Sequence, residues 1–132
     1  MRTLLSLFFT ILCYYVSHSQ DFASPIKHEI KLAGTFGELR SNHFHMGIDI
    51  KSSRGKHPDA ILAADKGFVS RIKVSRSGYG NAIYIDHPSG YTTVYGHLKY
   101  FSEALDSVVN RVQQDSQSFE MKLPHQTWKQ TS

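Results

Sequence analysis

Cysteine occurs once, at Cys13, so no intrachain disulfide can brace the fold and no set of thiolates can hold a metal or run redox chemistry. Charge of one sign is also scarce. Lysine and arginine total 15 against 11 aspartates and glutamates, with no long basic run and no basic stripe interleaved with aromatics, so no nucleic-acid partner is expected. The mild basic excess suits weak attraction to an anionic envelope polymer, and equally a solvated surface. A membrane-spanning helix takes about 20 apolar residues, and the longest apolar run, Thr3 to Val16, is shorter than that. With Arg2 before it and the small-x-small sequence Ser17-His18-Ser19 after it, this run reads as an export signal over 1–19. Cys13 follows Leu12, where a lipid-attachment box takes a small residue. Cleavage after Ser19 leaves 14 basic and 11 acidic residues and no cysteine. The expected product is secreted, periplasmic or otherwise in the cell envelope, with no stable membrane insertion, and it can hold a metal only through histidine and carboxylate.

One small domain fits the remaining length, and its pattern is mostly β. Ile26, His28, Ile30 and Leu32 alternate with Lys27, Glu29 and Lys31, the period of a half-buried strand that Gly34 and Gly37 end. Phe68 to Val74 follows a turn at Asp65-Lys66-Gly67, with Phe68, Ser70, Ile72 and Val74 on one face. Turns at Ser77-Gly78-Tyr79-Gly80 and His87-Pro88-Ser89-Gly90 bracket a strand at Ala82 to Asp86, and Tyr91 to Tyr95 forms the next. Short strands at such intervals predict an antiparallel barrel- or sandwich-like domain. Phe101, Leu105, Val108, Val109 and Val112 recur at helical spacing, which predicts one amphipathic helix over Ser102 to Gln114. Ser102 is its candidate N-cap, Glu103 and Asp106 lie near its start and Arg111 toward its end. The segment 119–132 reads as a tail of little order.

The chemistry concentrates in Phe44-His45-Met46-Gly47-Ile48-Asp49-Ile50 and Tyr95-Gly96-His97-Leu98. Residues four apart in an extended strand are separated by roughly 13 Å, too far to share a zinc ion at about 2 Å from each. For His45 and Asp49 to bind one metal, the backbone must bend between them, and Gly47 permits it. On spacing alone, a turn histidine and a surface carboxylate remain the simpler reading. His87, beside Pro88, reads as structural; His43 as facing either the site or solvent; His28 and His57 as ordinary strand and loop residues; Asp65 as a turn cap. Gly78 and Gly80 read as a hairpin turn and not a phosphate loop, because no helix start follows them.

Taken in order, Gly34-Thr35-Phe36-Gly37, Arg40 with Asn42, Phe44 to Ile50, Ile61 to Val69, Gly78 to His87, Gly90-Tyr91-Thr92-Thr93 and Tyr95 to Leu98 closely resemble the lysostaphin/LytM-type zinc metalloendopeptidases that cut peptidoglycan peptide cross-links. The resemblance runs from Gly34 to Leu98. It implies a Zn2+ cofactor, His45 and Asp49 as two zinc ligands, and His97 as a catalytic histidine that orients the attacking water or steadies the oxyanion. The partner it implies is a peptidoglycan peptide substrate. Members of that family continue to a His-x-His pair whose second histidine completes the zinc site. This chain has no such pair, and its only histidine after His97 is His125, in Leu123-Pro124-His125-Gln126, without the expected glycines. Residues 20–118 are therefore expected to be an incomplete, apparently truncated metalloendopeptidase-like domain of reduced or absent activity. The alternative is a non-catalytic adaptor relative that binds the wall or regulates other wall hydrolases, against which the intact His45, Asp49 and His97 argue.

Overall fold

A computed structural model describes residues 21–55 and 57–124. The expected export signal at 1–19 and the tail histidine His125 lie outside them. Two antiparallel sheets and one helix make up the fold. The smaller sheet pairs β1 (Leu32–Gly34) with β2 (Asp49–Ile50), setting Gly34 opposite Asp49. The larger contains β3 (Phe68–Val74), β4 (Ala82–Asp86), β5 (Thr92–Tyr95) and β6 (Met121–Pro124), in the order β5-β4-β3-β6. The domain is mostly β, as its turn spacing predicts, but the sheets do not close into a barrel. The helix α1 (Glu103–Ser116) follows β5. No helix among the described residues is long and apolar enough to cross a membrane.

The hairpins form where the sequence supplies positive φ. Gly78 and Gly80 (φ 61° and 59°) turn β3 into β4, and Gly90 (φ 86°) turns β4 into β5. A β-strand follows Gly80, in keeping with a hairpin turn.

The core lies between α1 and the β3–β6 half of the large sheet. Ile72, Val74, Val109 and Leu123 are its buried centre, with Val69, Phe101, Leu105, Val108, Val112 and Met121 packed around them. Ile72 is wholly excluded from solvent. The helical periodicity of 101–112 thus faces the sheet as expected. One predicted face needs correction: Phe68 is 49% exposed, whereas Val69 joins Ile72 and Val74. A register shift between Val69 and Arg71, opposite β4, is the cause, since one extra residue reverses which side chains face the core.

Three further expectations differ from the structure. Of the alternating stretch Ile26 to Leu32, only Leu32 is in a strand; residues 25–28 bend, Ile26 is buried and Ile30 is exposed. The residues just before this stretch tie to the 60s loop, Ala23 N–H to the Ala64 carbonyl and Leu62 N–H to the Pro25 carbonyl, both 2.8 Å, and its far end meets β2, with Lys51 N–H donating to the Lys31 carbonyl (2.8 Å). Residues 121–124 are not a loose tail but β6, hydrogen-bonded to β3 with Leu123 opposite Ile72. Finally, α1 runs to Ser116 and ends on Gln117 in the left-handed conformation, with no basic residue in its last turn. Arg111 therefore sits too early to meet the helix C-terminal dipole.

Candidate metal centre

Residues 37–45 fold back on themselves as a tight arm. Gly37 N–H donates to the His45 carbonyl (2.8 Å), His45 N–H to the Glu38 carbonyl (2.8 Å) and Arg40 N–H to the His43 carbonyl (2.9 Å), with Leu39 bridged to Phe44. Cross-strand partners share a face. Leu39 and Phe44 point to solvent, 75% and 60% exposed. The other face carries Glu38, Arg40 and His45; Arg40 and His45 meet Asp49 at the start of β2, and Glu38 meets Arg40. The chain bends at Gly47 between the two motif residues, so the long reach of an extended strand never arises.

His45 Nε2 lies 3.3 Å from Asp49 Oδ1. His45 Nδ1 lies 3.0 Å from the Thr35 carbonyl oxygen, which can only accept. A proton therefore sits on Nδ1, and in the neutral ring Nε2 carries the lone pair. Arg40 Nη2 also approaches Nδ1, at 3.3 Å, but guanidinium has only donors, so this is proximity and not a hydrogen bond. Two lone-pair atoms facing one another at that distance call for a cation or a second proton between them. Nitrogen and oxygen ligands at about 2.0–2.1 Å in a tetrahedral zinc site stand about 3.3 Å apart. The pair fits zinc in donor type and in spacing. A backbone carbonyl holding the far ring nitrogen is also the usual outer support of a metal-ligating histidine.

Asp49 is held on its other oxygen. Arg40 Nη2 donates to Oδ2 at 2.6 Å, and this hydrogen bond is the main reason its carboxyl titrates below the ordinary carboxylate range, with the charges of His45, Arg40 and His97 adding to it. The same contact raises Arg40 above its ordinary value. His97 thus lies within electrostatic reach of Asp49. Its backbone is left-handed, φ 55°, which a residue with a Cβ rarely adopts. Its N–H donates to the Tyr79 carbonyl (2.8 Å), and the next residue, Leu98, donates to the Asn81 carbonyl (3.0 Å). The imidazole rests over Gly80, and its neighbour Gly96 lies so close under the Tyr79 ring that a Cβ there would stand 3.1 Å from Cδ1.

The other candidate histidines do other things. His87 is buried, with Nδ1 donating to the Lys66 carbonyl (2.8 Å) and Nε2 facing Thr93 Oγ1 at 2.9 Å, and Thr93 Oγ1 is hydrogen-bonded to the Tyr95 hydroxyl. His43 pairs with the neighbouring Asn42 side chain. His28 is in a bend, not a strand, 3.3 Å from Asp59 Oδ2. His57 gives its carbonyl to Ser52 Oγ (2.7 Å). Asp65 accepts the Lys66 N–H at 2.7 Å, as a turn cap does. Among the described residues, no three histidine, cysteine, aspartate or glutamate side chains converge as a metal set. Sequence reasoning missed Gly34, Thr35 and Glu38 as parts of the site, and gave Arg40 no role. The Gly34–Gly37 pair and the charges at 38 and 40 were the available signal.

Fold and site together define a small antiparallel β domain with a histidine–carboxylate pair suited to a divalent cation and a free histidine nearby. Residues 43–117 match Peptidase family M23, and the chain belongs to that family, whose members are generally metallopeptidases. This is the group to which the LytM-type resemblance points. The chain is similar to the proteins named "DD-carboxypeptidase/endopeptidase Mpg" of Neisseria meningitidis serogroup B and Neisseria gonorrhoeae, at 36% identity over 70 residues. The aligned part is 53% of this chain and 15% of those relatives, so the chain spans a minor part of their length. No solved structure matches.

Proposed function

We propose that this chain is a zinc-dependent endopeptidase unit of the cell-wall hydrolase type, acting on the peptide cross-links of peptidoglycan after export to the envelope. The observation that carries the reading is the 3.3 Å meeting of His45 Nε2 with Asp49 Oδ1, with Nδ1 committed to the Thr35 carbonyl. Peptidase family M23 and the names of the Neisseria relatives support the substrate class. Bound at the pair, zinc would supply Lewis acidity toward the peptide carbonyl and a lowered pKa for water.

The chain's own residues then divide the work. His45 and Asp49 hold the metal. His97, exposed beside them, takes and returns the proton or steadies the developing negative charge at the substrate oxygen. Its anchored backbone fixes where the ring can reach.

A hydrolytic zinc site takes three protein ligands, and the described residues contribute two. Zinc binding by this chain is therefore expected to be weak and peptidoglycan hydrolysis slow. Calorimetric titration with zinc checks this. Submicromolar affinity that disappears in His125→Ala would show that His125 supplies a ligand and overturn the weak-binding expectation. Binding unaffected by His45→Ala or Asp49→Ala would overturn the site.

A further inference from the structure

We propose that Arg40, seated over Gly34, is a positioning residue for Asp49 that presents a single carboxylate oxygen to the metal; this rests on the zinc reading above. Asp49 opens β2 and its side chain is only partly covered, so its own rotamers do not fix it. Arg40 Nη2 holds Oδ2 at 2.6 Å, which leaves Oδ1 as the oxygen turned to His45. Arg40 is itself held by Glu38 Oε2 at 3.4 Å, and the same Oε2 accepts the Thr35 N–H at 3.3 Å. Thr35 returns to the site through its carbonyl, which receives His45 Nδ1–H. These contacts form a closed ring in which each metal-facing atom is set by a partner on its far side.

Gly34 is what allows the ring to lie flat on the strand. A Cβ at this buried position would stand 2.6 Å from Arg40 Nη2, 2.7 Å from Asp49 Oδ2 and 2.9 Å from Glu38 Oε2. All three are ends of flexible side chains, so alanine would push the ionic groups apart without opposing the backbone. Its φ is not in the left-handed region, so alanine is conformationally permitted.

A bare positive charge at position 40 would do something else, because it would repel a divalent cation and weaken its binding. The two roles predict opposite outcomes. Zinc titration of the chain by calorimetry, with cobalt(II) absorption as a second readout of ligand geometry, separates them. Arg40→Lys keeps the charge but loses the planar fork, and it is expected to weaken zinc binding about 10- to 100-fold, the usual effect of removing an outer-shell partner. Gly34→Ala, with no charge change, is expected to do the same and to alter the cobalt band in the same way. Unchanged zinc affinity in both variants overturns the inference while leaving the zinc reading intact, and so does tighter binding in Arg40→Ala. Unfolding of all three variants without zinc, judged by circular dichroism, overturns it too, since Arg40 would then be a structural residue. If the parent chain binds no zinc at all, the zinc reading fails and carries the inference with it.

Discussion

His97 occupies a backbone conformation that costs a residue with a Cβ on the order of 1–3 kcal/mol, and it is held there by the Tyr79 carbonyl. Glycine accepts that conformation freely but loses more chain entropy on folding. The relief equals or exceeds the entropy loss of about 0.5–1 kcal/mol, so His97→Gly is expected to leave stability unchanged or raise it by up to about 2 kcal/mol. In a chain completed by grafting a family-like C-terminal segment that carries His-x-His, the substitution should lower turnover on peptidoglycan about 10²- to 10⁴-fold, while zinc content, measured by atomic absorption after dialysis against zinc, stays at the level of the completed parent. Loss of zinc would make His97 a ligand. Gly67 shows the opposite case. A Cβ there would stand 2.5 Å from the Asp86 carbonyl, which is backbone and cannot step aside. Gly67→Ala should therefore cost about 1–3 kcal/mol, visible as a lower urea midpoint.

Among the elements, β6 and α1 are interdependent. Leu123 from the strand and Val109 from the helix are buried with Ile72 in one cluster. Ile72→Ala is expected to destabilise the fold by about 2–5 kcal/mol, read from chemical denaturation. A smaller loss would mean that the helix settles into the space.

Strands β3 to β5 and the helix were legible in the sequence because alternation and helical spacing are properties of neighbouring residues. β6 was not, because Met121–Pro124 is extended through its pairing with β3, a contact invisible in local pattern. Ile26 to Leu32 misled for the converse reason, since its alternation is real but only its end, at Leu32, finds a strand partner, in β2. In the site, the His45 and Asp49 spacing stood out as a motif. The parts played by Gly34, Glu38 and Arg40 depend on the fold of the 37–45 arm, which no residue spacing reveals.

For the molecule as a whole, acid is the revealing variable. Asp59 is held well below the ordinary carboxylate range chiefly by Ser53, through its hydroxyl and its N–H. Thr92 and Ser70 lower Asp86, and Arg40 lowers Asp49. A depressed folded-state pKa means that the unfolded chain binds the proton first, so these groups contribute stability above the ordinary carboxylate pKa and lose it as pH falls through their folded values. The melting temperature should therefore be insensitive to them near neutrality and decline below about pH 4. Asp59→Asn should make that acid limb shallower; an unchanged limb would assign the acid sensitivity to other groups.

The ring joining Thr35, Glu38, Arg40, His45 and Asp49 closes within one short stretch of chain, whereas His97 arrives from the far end of the large sheet. Closing a short loop sacrifices little chain entropy, and doubling its length adds only about 0.6 kcal/mol. The His45–Asp49 pair can therefore assemble as a local unit while His97 depends on distant strands being in place. Partial opening of the molecule should uncouple the two, releasing His97 first. Amide hydrogen exchange would show this as earlier exchange at the His97 and Leu98 amides than at the His45 amide, with the order of protection recording the order in which the parts of the site come together.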